Sequence, residues 1–141
     1  ISMIKGNTMK KWFGMMLLLL ASSVSDAANW VYFATAQDDT KHYIDADRIS
    51  VNDSQITVWE KYYFKVAQKA ENGKFYRYAI SKNIYDCSDN TLTLTQGYFY
   101  SNKGVIVDSF SWHESEYEWN DVIPDSVASD ILEQLCEANQ N

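Results

Sequence analysis

Apolar and polar residues alternate through most of the chain, and short clusters of Asp, Asn, Ser and Gly interrupt the alternation. A period of two marks a strand with one face buried. Residues 29–36 open the series, rich in aromatics, until Asp38-Asp39-Thr40 breaks it, and residues 41–45 give a short second strand. After the turn pair Asn52-Asp53, residues 55–66 form the longest strand. Ile56, Val58, Tyr62 and Phe64 fall on one of its faces, and Thr57, Trp59, Lys61, Tyr63 and Lys65 on the other. Asn72-Gly73, set between aromatic runs, is the strongest hairpin signal. Residues 74–86 follow with Tyr76, Tyr78, Ile80 and Ile84 in phase. Ser88-Asp89-Asn90 then turns the chain into Thr91-Leu92-Thr93-Leu94-Thr95, threonines on one side and leucines on the other. Asn102-Lys103-Gly104 turns it again into a sixth strand over 105–110. Short connections make these neighbours antiparallel, since parallel pairs need long crossovers.

The period changes near the end. Val127, Ala128, Ile131, Leu132, Leu135 and Cys136 share one face of a helix, and Pro124-Asp125-Ser126 supplies its start, with Asp125 or Ser126 able to cap the first free amides. Cys136 lies on the apolar stripe, and Cys87, at the end of the fourth long strand, is the only other cysteine. The expected fold is therefore α+β and mainly β: a six-stranded antiparallel sheet with a C-terminal helix tied to it by a Cys87–Cys136 disulfide. The alternative for this pair is two free buried thiols.

The N-terminal segment supplies the compartment in which such a bond forms. Lys5, Lys10 and Lys11 precede an apolar run from Trp12 to Leu20, and small residues follow. Ser25 and Ala27 suit the positions before a signal-peptidase cut, so residues 1–27 read as a cleaved export signal and 28–141 as one mature domain. The apolar run is short of the about 20 residues a membrane-spanning helix needs, and no later segment supplies them. Export favours the disulfide. No cysteine stands at the end of the leader, where a lipoprotein carries its lipidated residue, so the expected location is periplasm or cell surface without a lipid anchor. The leader holds three of the 12 Lys and Arg and one of the 19 Asp and Glu, which leaves residues 28–141 with a formal charge of −9. That charge repels nucleic acid and anionic lipid.

Catalytic chemistry finds little support. An oxidised cysteine has no thiolate to attack with, and His42 and His113 sit in neither a serine-hydrolase elbow nor a zinc-protease helix. No catalytic residue, metal site or cofactor is assigned. Glu114, Glu116 and Glu118 would share one face of an extended segment and could hold a hard cation; the plainer reading is a solvated loop with Trp112, Tyr117 and Trp119 packed inward. Asp45 and Asp47 read as caps of the turn at Asp47-Arg48-Ile49. Lys61, Lys65, Lys69, Lys74 and Arg77 form the densest cationic stretch, either a patch for an acidic partner or a solvated face. Trp30, Tyr32, Trp59, Tyr63, Tyr98 and Tyr100 either line a binding face or form the core under the helix. One helix of about a dozen residues cannot cover a six-stranded face, so some aromatic surface stays open.

Several short landmarks carry a family resemblance: Asn29-Trp30-Val31, Tyr43-Ile44-Asp45 with Ile49, Val58-Trp59, Asp86-Cys87, Pro124-Asp125-Ser126-Val127 and Cys136. In this order and spacing the chain resembles the bacterial surface-adhesin protein E family over nearly all of its mature length. The resemblance implies a sheet with a disulfide-tied C-terminal helix and a non-enzymatic, adhesin-like role in binding host matrix proteins such as laminin and vitronectin. It assigns no binding residue. The protein partner stays unidentified, and dimerisation through an exposed edge strand stays open. The competing readings are a soluble periplasmic protein that binds a small ligand, peptide or glycan or inhibits an envelope-directed enzyme, and an enzyme using the acidic residues.

Overall fold

The computed structural model describes residues 27–139. The leader expected up to Ala27 lies, but for that last residue, outside the described part. The strands are β1 (Trp30–Thr35), β2 (Lys41–Asp45), β3 (Ser50–Asn52), β4 (Gln55–Lys69), β5 (Phe75–Asp86), β6 (Thr91–Tyr100), β7 (Ile106–Ser111) and β8 (Asn120–Asp121), followed by helix α1 (Val127–Asn139). All pairings are antiparallel. The sheet runs β1-β2-β4-β5-β6-β7, a path of six strands, and the short β3 and β8 join it beside β4 and β6 to make eight. Sequence alternation passes over these two because segments of two or three residues carry no period.

The β4–β5 hairpin is the spine. Its turn is at Asn72-Gly73, where Gly73 takes φ +86°, a conformation that side-chain-bearing residues avoid. The Asn72 side chain accepts from the Lys74 amide at 3.0 Å and donates to the Val107 carbonyl at 2.9 Å, tying the hairpin tip to β7. The β4–β5 register slips between Tyr63 and Gln68. That slip moves Tyr76 out of phase with Tyr78: its ring packs against Phe64 and Phe99 on the helix side, at 5.6 and 4.7 Å between centroids.

Helix α1 lies across one end of one sheet face. Ile131, Leu132 and Leu135 bury against Ile56, Val58 and Tyr85, with Phe33, Ile44, Leu92, Val122 and Val127 at the margin. Ser126 caps the helix, its Oγ accepting from the Ser129 amide at 3.1 Å. Asp125, the other candidate cap, instead makes the turn before it with φ 61°. Cys87 and Cys136 are joined, with Cα atoms 5.9 Å apart, so the helix is fastened to the end of β5.

Candidate functional site

The two faces of the sheet differ in cover and in charge. On the helix side, β4 points Glu60 inward between Val58 and Tyr62, and the carboxyl is buried. Tyr85 Oη donates to Glu60 Oε2 at 2.5 Å, and Asn83 Nδ2 donates to the same oxygen at 2.6 Å. Ser81 and Asn83 extend the chain of contacts to the Tyr62 hydroxyl. Burial raises the Glu60 pKa above the ordinary glutamate value against the lowering effect of these hydrogen bonds, and burial likewise pushes the Tyr62 and Tyr85 hydroxyls up. His42 stands edge-on to Tyr62, with centroids 5.2 Å apart, and its pKa is lowered by burial. Glu60, Ser81, Asn83 and Tyr85 are closed to solvent, Tyr62 and His42 are half-buried beside them, and the group braces the sheet. The sequence hides Glu60, a charged residue at an inward position.

The opposite face carries no helix. Cross-strand register places Trp30 and Tyr32 of β1, Trp59 and Tyr63 of β4, and Tyr98 and Tyr100 of β6 all on this side, so the six aromatics share the open face rather than the core. The register adds residues that sequence reading does not connect. Tyr43 stands beside Tyr32 at 5.7 Å, and Tyr78 sits between Tyr63 and Tyr100. Tyr63, Tyr78 and Tyr100 form a ladder across three strands. Successive centroids are 5.9 and 4.7 Å apart, and interplanar angles are 6° and 7°. These spacings are close to the about 4.8 Å between strands, so the rings stand upright with their faces turned to one another. Lys61 Nζ lies 4.7 Å from the Tyr78 centroid, and the Arg77 guanidinium 5.4 Å from that of Tyr63.

The remaining candidates disperse. Lys69 ends β4 and Lys74 sits in the hairpin turn, away from Lys61 and Arg77. Glu114–Glu116 is a 3₁₀ turn, not an extended segment, because Glu116 folds back to accept from the His113 amide at 2.9 Å. The three glutamates therefore share no face, and among the described residues no group of three or more His, Cys, Asp and Glu could hold a metal. Nor do the loop tryptophans turn inward: Trp112 is 50% and Trp119 38% exposed, since β7 and β8 pair along one edge of β6 and the loop between them has no layer to pack under. Asp45 caps the β2–β3 turn, accepting from the Asp47 amide at 3.1 Å and from Arg48 at 3.2 Å.

A single sheet, closed on one side by a disulfide-pinned helix and open on the other over a row of aromatic and basic side chains, defines a small surface-binding module. Residues 30–137 match the profile of the surface-adhesin protein E family, and the chain belongs to that family of surface adhesins. Its fold is that of Haemophilus influenzae protein E. One crystal structure of that protein aligns with a TM-score of 0.55 at 14% identity, covering 81% of this chain and 88% of the other. A second crystal form gives 0.57 at 14% identity, with 83% and 94% covered. The protein from a non-typeable strain gives 0.54 at 16% identity, with 80% and 79% covered. No curated protein sequence matches the chain. Among the described residues no helix is long and apolar enough to cross a membrane.

Proposed function

We propose that this protein is an exported, non-enzymatic adhesin module that meets host extracellular-matrix proteins through its helix-free face. The observation that carries the reading is the uncovered Tyr63–Tyr78–Tyr100 ladder with Lys61 and Arg77 against it. A rigid aromatic surface ordered before binding loses little side-chain entropy on contact. The leader with its cut after Ala27 supports export, as does the disulfide, which needs an oxidising compartment. Both cysteines of the chain are bonded to each other, so neither is open to lipid attachment.

A second reading rests on a different feature. Tyr76, Phe99, Phe110 and Trp112 line a cleft of about 380 Å³ near the hairpin tip, of a size for a small ligand, which suits a periplasmic binding protein. Protease treatment of intact cells separates the two, together with binding of the purified protein to immobilised laminin and vitronectin. Digestion on intact cells, with matrix binding that Tyr78→Ala abolishes without lowering disulfide content, supports the adhesin. Protection inside the cell with no matrix binding sinks it and leaves the cleft.

A further inference from the structure

Charge is distributed unevenly between the two sides of this acidic molecule. Helix α1 contains Asp130, Glu133 and Glu137 and no basic residue. The segment before it carries Glu114, Glu116, Glu118 and Asp125 along the β6 edge of the sheet. The helix-free face reverses the sign. Lys41 of β2, Lys61 of β4 and Lys82 of β5 fall on it by register, Lys65 follows the parity of β4 just past its last paired residue and meets Asp39, and Arg77 reaches the face over Tyr63. These are five of the nine Lys and Arg after residue 27. Acidic groups meet this face only at its ends, and one of them is the exposed Asp121 of β8, opposite Thr91 in the row of Asp86. Asp45 and Asp86 are buried in turn-capping hydrogen bonds, and Asp39 pairs with Lys65 at 3.2 Å on the rim. Glu60, the one acid within β4, points to the other side.

The cations are in line. Lys61 lies opposite Tyr43 and Ile80, while Lys41 lies opposite Tyr63 and Lys82 opposite Trp59. Lys41, Lys61 and Lys82 are thus successive diagonal neighbours across three strands, roughly 7–8 Å apart per step. The tyrosine ladder starts from the same point, with Lys41 opposite Tyr63, and crosses the strands at right angles while the lysines run diagonally. Its ring faces are taken up by one another and by Lys61 and Arg77, so its outer rim presents ring edges and hydroxyl groups, the electropositive and donor parts of the residue. A straight diagonal of cations, with donors branching from its Lys41 end, complements a linear polyanion. A dry protein interface fits less well, because its centre excludes charge and would have to desolvate Lys61 and Lys82. A hydrated polysaccharide leaves them wet.

We infer that the helix-free face binds a sulfated, uronic-acid-containing polysaccharide of the glycosaminoglycan class along the Lys41–Lys61–Lys82 diagonal. This rests on the reading of that face as the adhesive surface and narrows it: the matrix component touched is a glycan chain. The test uses the purified mature protein and immobilised heparin as the sulfated probe. Wild type is expected to bind at about 0.15 M salt despite its net negative charge. K41Q/K61Q/K82Q, with melting temperature unchanged, is expected to weaken binding at least about tenfold. D130N/E133Q/E137Q on the helix is expected not to weaken it, and fully desulfated heparin not to bind. Absence of binding by wild type, equal binding by the lysine variant, or equal or tighter binding of polyglutamate or duplex DNA of matched charge each overturns the proposal. If the protein binds a matrix polypeptide stripped of glycan and loses that binding with Tyr78→Ala, the glycan assignment fails and the adhesive face stands. If it binds neither glycan nor polypeptide, both fail.

Discussion

The Tyr85 hydroxyl donates to the Glu60 carboxyl across 2.5 Å, and both side chains are closed to solvent, at 1% and 2% exposure. A carboxyl whose pKa is raised by burial binds its proton more tightly in the folded than in the unfolded chain. Its contribution is complete below the ordinary value of 4.5 and is lost as the pH rises through the folded-state value. Glu60→Gln keeps an acceptor for Tyr85 and removes the charge. Thermal unfolding of the two proteins should coincide at low pH and diverge as the pH rises to neutrality, the variant gaining about 1–3 kcal/mol. Parallel curves would show that Glu60 does not titrate across this range.

His42 works in the opposite direction. Burial lowers its pKa from 6.5, so the unfolded chain takes up a proton first and stability falls as the pH drops below that value. His42→Phe retains an edge-on ring against Tyr62 without a titrating group. Its melting temperature should exceed that of wild type by a margin that widens below pH 6.5. A margin independent of pH would assign the effect to packing alone.

Gly97 allows Phe110 to lie flat across β6. A Cβ added there would come within 2.5 Å of the Phe110 ring, whose neighbours are Phe99 and Trp112 at 6.1 and 6.2 Å. Gly97→Ala should cost about 1–3 kcal/mol in chemical denaturation. The same substitution in a Phe110→Ala background should cost much less, and equal costs in the two backgrounds would rule out the ring as the cause.

The Cys87–Cys136 bond spans 49 residues and holds a helix with only three buried side chains. Loop-closure entropy assigns such a link about 4 kcal/mol. Replacing both cysteines by serine should lower the melting temperature by on the order of 10–20 °C. A change of a degree or two would mean that α1 docks on its apolar stripe without help.

Legibility in the sequence follows the length and regularity of each element. β4, β5 and α1 stand out because period two over a dozen residues, and period 3.6 over thirteen, admit few other arrangements. The turn at Asn72-Gly73 and the pairing of the two cysteines come from residue chemistry alone. Tyr76 defeats the alternation because three extra residues in β4 re-aim the strand opposite, and a bulge has no signature that separates it from continued strand. Glu60 defeats it for another reason: its partners Tyr85 and Asn83 lie 25 and 23 residues away and are supplied only by register. The candidate face was half visible. Trp59, Lys61 and Tyr63 share a side by simple parity, whereas the place of Tyr78 between Tyr63 and Tyr100, and the line from Lys41 to Lys82, depend on pairings between separate strands.

The core joins the first and last described elements. Phe33 of the first strand and Ile131 and Leu135 of the last helix meet over Ile56 and Val58, so the apolar floor of the sheet has no cover until the final thirteen described residues arrive. Without residues 127–139 the sheet has nothing to close over Ile56, Val58 and Tyr85. Closure of the core therefore waits on α1, the last described element, and a chain made only as far as β8 leaves its apolar floor bare.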